Sequence, residues 1–192
     1  ELEKPLARTL NKLLEFLEAF TVADKEVLLT AAIWSAYTRI FDRFEYTPYL
    51  NIWSATPQSG KTTLLSLLKM LVKKPLFIAG TSPSALLRVV DEISPTVLLD
   101  ECDTIFKKAA TPEERELIGM LNAGYQQGAT HIKTEPTGKN ENRRFKVVHY
   151  QIYCPKAFAS IGPDVLPEAT RTRCIHLPMK PKTIEESQKV RR

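Results

Sequence analysis

One octapeptide limits what this chain can fold into. Ala55-Thr-Pro-Gln-Ser-Gly60-Lys61-Thr62 lies between an apolar run, Tyr49–Trp53, and a stretch, Lys61–Val72, with Leu64, Leu65, Leu68 and Leu71 on one helical face. Its spacing is that of a phosphate loop, with Ala55 where the first glycine stands. A tight strand-to-helix loop turns backbone N–H groups inward, and the following helix adds its positive end, so anionic oxygens are held from several sides. Gly60 lets the backbone approach without a Cβ, Lys61 reaches the outer phosphates, and the Thr62 hydroxyl suits a magnesium ion. Pro57 removes one N–H donor. The predicted nucleotide contacts are Ala55, Thr56, Pro57, Gln58, Ser59, Gly60, Lys61, Thr62 and Thr63, with ATP as the nucleotide and Mg2+ as its ion.

A second motif follows one strand and one helix later. Thr96-Val-Leu-Leu-Asp100-Glu101 is an apolar strand ending in two acids, and open parallel sheets bind ligands at the carboxyl ends of their strands. Asp100 is assigned to the metal with Thr62, and Glu101 to polarising the attacking water. Asp103 reads as a turn or cap residue.

Around these motifs the pattern alternates. Leu2 to Phe20 repeats leucines at helical spacing, Thr21-Val-Ala-Asp24 has the spacing of a helix-start box, and a second helix runs from Val27 towards Phe41. Leu76–Ala79 and Thr96–Leu99 read as strands, Ser82–Glu92 and Pro112–Ala123 as helices, and Ala157–Ile161 and Cys174–Leu177 as further core strands. Alternation of this kind predicts a three-layer α/β core with a parallel sheet. Ala129–Tyr150 departs from it and reads as a β-hairpin with a polar tip. The expected organisation is an N-terminal helical segment 1–46, a core 47–180, and a tail 181–192 in which Thr183–Val190 looks like the start of a lid. Glu1 in place of a starting methionine reads as a fragment of a longer protein.

Net charge is +5, but residues 129–192 carry +7 and residues 1–128 carry −2. That asymmetry suggests either a polyanion partner, nucleic acid before lipid, or a solvated basic face. Lys139, Arg143, Arg144 and Lys146 on the hairpin are the candidate nucleic-acid contacts. No apolar run is long enough for a membrane span, three separated cysteines make no disulfide framework, and three histidines lack metal-ligand spacing. A reducing cytoplasm is the expected location. Ser160, closing an apolar strand, fits either a γ-phosphate sensor or a strand-ending serine before Gly162-Pro163. Arg171 and Arg173 precede the last strand; Arg173 is the preferred candidate for a finger acting on a neighbouring subunit's nucleotide, and surface arginine is the alternative.

Together, Ser54–Leu65, Pro95–Asp103, Leu121-Asn-Ala-Gly-Tyr125 and Pro167–Ile175 resemble the P-loop ATPase domain of phage and integrative-element primase–helicase proteins. The resemblance runs from about Trp34 to Lys180 and extends to ring-forming AAA+ helicases, which insert a DNA-contacting hairpin before the sensor strand. It implies a P-loop core with that hairpin insertion and a helical N-terminal extension. It also implies a magnesium-dependent ATPase acting as a DNA helicase or translocase, and a homo-oligomeric ring, six subunits being one form, on single-stranded DNA. A nucleotide-regulated switch or loader with little turnover is the first alternative, and a small-molecule kinase the second.

Overall fold

The computed structural model describes residues 3–78, 82–106, 111–137 and 144–190. Two helices, α1 (Glu3–Phe20) and α2 (Lys25–Tyr37), lead through a short 3-10 turn at Phe41–Arg43 into β1 (Tyr49–Ser54). Then come α3 (Lys61–Leu71), β2 (Pro75–Ile78), α4 (Pro83–Ile93), β3 (Thr96–Leu99), α5 (Cys102–Phe106) and α6 (Pro112–Ala123). A two-stranded ribbon, β4 (Thr130–Thr137) and β5 (Arg144–Gln151), precedes β6 (Lys156–Ile161), α7 (Glu168–Arg171), β7 (Cys174–Pro178) and α8 (Ile184–Lys189).

The core sheet is parallel, in the order β2-β3-β6-β1-β7. The strand that follows the ribbon is therefore inserted between the strand leading to the phosphate loop and the strand ending in acids. Leu50, Ile52, Leu98, Ala157, Ala159 and Leu177 face α1, α2 and α3. Tyr49, Val97, Leu99 and Phe158 face α4 and α6. Buried on both sides, the central strands β1, β3 and β6 are apolar at most positions, which is why they read as continuous runs rather than alternating ones. The three-layer α/β fold with a hairpin before β6 agrees with the sequence expectation.

Helix ends follow local chemistry. Ser82 caps α4, its hydroxyl accepting from the Ala85 N–H at 3.2 Å, with Pro83 at the first helical position. Thr111 and Glu114 form a reciprocal capping box on α6. The Thr21 box does not form. The Thr21 N–H still closes α1 by donating to the Leu17 carbonyl, and α2 starts only after Asp24. Asp24 makes no side-chain cap bond and instead accepts from Lys180 Nζ at 2.8 Å. The second helix also ends earlier than its pattern suggests, at Tyr37 rather than Phe41.

The ribbon is turned opposite to what its apolar residues invite. Ile132, Phe145 and Val147 lie on the outward face and are exposed. The inward face joins Val148 and Tyr150 of β5, which pack into the core, to a polar row on β4 that is pinned to two helices. Glu116 of α6 accepts from Lys133 at 2.7 Å and lies 3.3 Å from His131. Glu135 accepts from Arg88 of α4 at 2.6 Å and from the Tyr150 hydroxyl at 2.5 Å. Hydrogen-bonding to Lys133 holds the Glu116 carboxyl below its ordinary pKa, with His131 adding to it. Glu135 is lowered first by its hydrogen bond from Tyr150, then by Arg88. Paired charges and the packing of Val148 and Tyr150 hold this face, leaving Ile132, Phe145 and Val147 to solvent.

Candidate functional site: the phosphate loop

The loop from Ala55 to Gly60 crosses the C-terminal edge of the sheet between β1 and α3. Its two left-handed residues are Gln58 at φ 58° and Gly60 at φ 80°. Ala55 is not among the residues with positive φ, so an alanine serves there without strain. Inside the loop the Ser59 hydroxyl donates to the Thr56 carbonyl at 2.9 Å, and the Ser54 hydroxyl reaches the same carbonyl at 2.6 Å.

A cavity of about 500 Å³ opens on this loop, lined by Pro57, Gln58, Ser59, Gly60, Lys61, Thr62 and Thr63 together with Pro181 and Lys182. Seven of the nine predicted nucleotide contacts therefore share one wall; Ala55 and Thr56 lie outside it. Lys61 is 9 % exposed and donates to Ser54 Oγ at 2.6 Å and to the Thr56 carbonyl at 3.3 Å. Burial pushes its ammonium below the ordinary lysine pKa, partly offset by the carboxylates of Asp100 and Asp103. Thr62 is exposed in the first turn of α3.

Strand register brings the remaining candidates to the same edge. Leu99 pairs with Phe158, and Trp53 with Ser160, so Asp100 leaves β3 beside the end of β6, next to the start of the loop. Asp100 accepts from the Glu101 N–H at 2.9 Å. Glu101 is exposed and takes a left-handed backbone, φ 52°, which a non-glycine residue adopts at some cost. Asp103 begins α5 rather than an isolated turn. Ser160 is buried and donates to the Gly162 carbonyl at 3.3 Å, with Asn51 Oδ1 at 3.5 Å. Thr62 and Asp100 supply oxygens of the kind magnesium takes, an ion that keeps several waters and uses one or two protein oxygens besides substrate phosphates. Among the described residues no cluster of three or more His, Cys, Asp or Glu could hold a metal.

Two candidate groups lie elsewhere. Arg173 sits at the opposite end of β7, paired through its carbonyl to the start of β1, about 17 Å along the strand from the loop. Its guanidinium donates to the Asn122 carbonyl and stacks on Tyr125 at 5.4 Å, bracing the end of α6. Arg171 is ion-paired with Asp164. Of the four hairpin cations, Lys139 and Arg143 lie outside the described residues. Arg144 and Lys146 are exposed and share the ribbon face of Glu135, not that of Phe145.

Sequence reasoning missed three residues around the loop. Ser54 is the nearest acceptor of Lys61, and its place directly before the motif was the available signal. Lys182 is brought in by the chain leaving β7, more than a hundred residues later, and nothing local announced it. Thr21 is 2 % exposed, and its hydroxyl has no hydrogen-bond partner among the described residues.

No family model matches the chain, and no curated protein matches it in sequence. Solved structures do. One point mutant of Thermotoga maritima RuvB is 14 % identical with a TM-score of 0.50, over 84 % of this chain and 46 % of that one. A second point mutant of the same protein is 12 % identical with a TM-score of 0.52, over 86 % and 48 %. The fold is that of a P-loop nucleoside triphosphatase, as in RuvB. The chain spans about half the length of those RuvB chains.

Proposed function

We propose that this chain is the motor core of an ATP-driven helicase or translocase, working as a homo-oligomeric ring on single-stranded DNA in the replication of a phage or mobile element. The observation that carries the reading is the open cavity on the loop, with Lys61 in its wall and Asp100 close enough to act on that ammonium. The motifs shared with primase–helicase proteins support the biological setting, and the RuvB-like fold supports the ring.

In this reading the loop's backbone N–H groups and Lys61 bind the phosphates, and Lys61 leaves Ser54 to do so. Thr62 and Asp100 would hold magnesium, which would lower the charge repelling an incoming nucleophile. Glu101 polarises water, and Ser160, between the two motif strands, orients it. Arg173 reaches a neighbouring subunit's nucleotide only after releasing Asn122. Arg144 and Lys146, with Lys139 and Arg143, track a phosphate backbone.

The test is ATP turnover against protein concentration and single-stranded oligonucleotide at two salt levels. The wild-type chain should hydrolyse ATP with several-fold stimulation by DNA, and Lys61→Ala should abolish it. Full activity in Lys61→Ala rejects the proposal. Tight ATP binding with negligible, DNA-independent turnover replaces the motor with a switch.

A further inference from the structure

We infer that Lys182 is a second phosphate-binding cation, held by the segment that leaves β7 in the wall of the cavity that Lys61 also lines. The inference rests on reading the cavity as a nucleotide site and deepens it.

The segment Pro178–Lys182 passes directly over the loop. The Met179 N–H donates to the Trp53 carbonyl at 2.7 Å, tying it to the end of β1. Lys180 is fastened to Asp24 at 2.8 Å. A Cβ built on Gly60 would lie 3.6 Å from Met179 Cε and 3.8 Å from Lys182 Cε, so the segment touches the loop at its glycine. Pro178 and Pro181 restrict the backbone on either side, and Thr183 caps α8 immediately afterwards, its hydroxyl accepting from the Glu186 N–H at 3.2 Å. Lys182 is thus delivered by a stiff, tethered connection.

Among the described residues nothing answers its charge. Lys182 is half-buried, lines the cavity with Pro181, and makes no hydrogen bond or ion pair with them. Lys180, two residues earlier, is the one engaged with a carboxylate. Glu186, the nearby acid of α8, is held by its own cap. A half-buried ammonium facing a loop that presents N–H donors is a poor arrangement for the protein alone and a good one for a polyphosphate. The loop grips the phosphate chain, and Lys182 adds a second positive charge to its oxygens. Lys180 and Asp24 act as positioning residues.

The experiment measures binding of fluorescent ATP and ADP analogues to the whole chain with magnesium, by titration at several salt concentrations. Lys182→Ala should weaken ATP binding about tenfold, the low end for a lost charge-assisted hydrogen bond, and flatten its salt dependence, with the melting temperature unchanged. Lys182→Glu should weaken it further, and Lys182→Arg should restore most of it. Asp24→Asn should shift affinity in the same direction by less. Wild-type affinity and salt slope in both Lys182→Ala and Lys182→Glu overturn the inference. If the wild-type chain binds neither analogue, the nucleotide reading itself fails, which is a separate outcome.

Discussion

Gly124 closes the Leu121-Asn-Ala-Gly stretch at the end of α6, and its backbone, φ −74° and ψ 18°, is open to any residue. What forbids a side chain there is space. A Cβ on Gly124 would lie 2.1 Å from the Ile152 carbonyl oxygen and 2.5 Å from Lys156 Nζ. Restoring an ordinary contact needs the two backbones to part by about 1 Å, in an interior packed as densely as a crystal. The Gly124 carbonyl also accepts from the Cys154 N–H and from Lys156, each at 3.3 Å. Lys156 is 2 % exposed, and its other supports are the Cys154 carbonyl at 3.0 Å, the Tyr49 hydroxyl at 3.1 Å and the Tyr49 ring at 4.6 Å. Overpacking costs about 1–3 kcal/mol. Disturbing the partners of a buried ammonium adds about 1–3 kcal/mol. Gly124→Ala should therefore lose about 4 kcal/mol, a large share of a domain's stability. In urea that is a fall in midpoint of about 1.5 M at an unfolding slope typical of this size. Gly119, five residues earlier on the same helix, has nothing within 4 Å of its Cβ position. Gly119→Ala should gain about 0.5–1 kcal/mol through helix propensity alone. A Gly124→Ala protein as stable as wild type, or the same sign for both variants, would refute the packing argument.

Other outcomes follow from the charges. Because burial holds the Lys61 pKa down, ATP affinity should fall at alkaline pH earlier than for an ordinary lysine, as the ammonium loses its proton; titrations across the alkaline range at fixed salt would reveal it. Stability moves the other way, since neutralising Lys61 removes the cost of burying its charge. Glu116 and Glu135, both lowered, stabilise the docked ribbon fully above the ordinary glutamate value of 4.5, and that contribution disappears as pH falls through their depressed values. Amide exchange in β4 and β5 should accelerate in that acid window before the core sheet opens, and uniform exchange would contradict the seam. Arg173→Ala should lower the melting temperature as well as any ATPase rate, because the side chain braces Asn122 and Tyr125; an unchanged melting temperature would mean that it has no structural duty.

The sequence by itself determined the elements and the place of the loop between β1 and α3. Thr96–Leu99 and Pro112–Ala123 occupy the residues that their apolar runs and caps indicate, because backbone hydrogen bonding and local capping are settled within a few residues. Gly60, Lys61 and Thr62 sit at the strand-to-helix junction for the same reason. Tertiary structure alone decided the rest. It set β6 between β1 and β3, so that Asp100 and Ser160 emerge at the sheet edge that carries the loop. It turned Ile132, Phe145 and Val147 of the ribbon outward, because the partners of the other face, ion pairs and core contacts on α4 and α6, lie outside the ribbon's own sequence. It brought Thr21 and Lys182 to Gly60, which depends on how α1 and the chain leaving β7 pack on the loop. Residues far apart in the chain share no local signal, and only the packing of the layers specifies which of them touch.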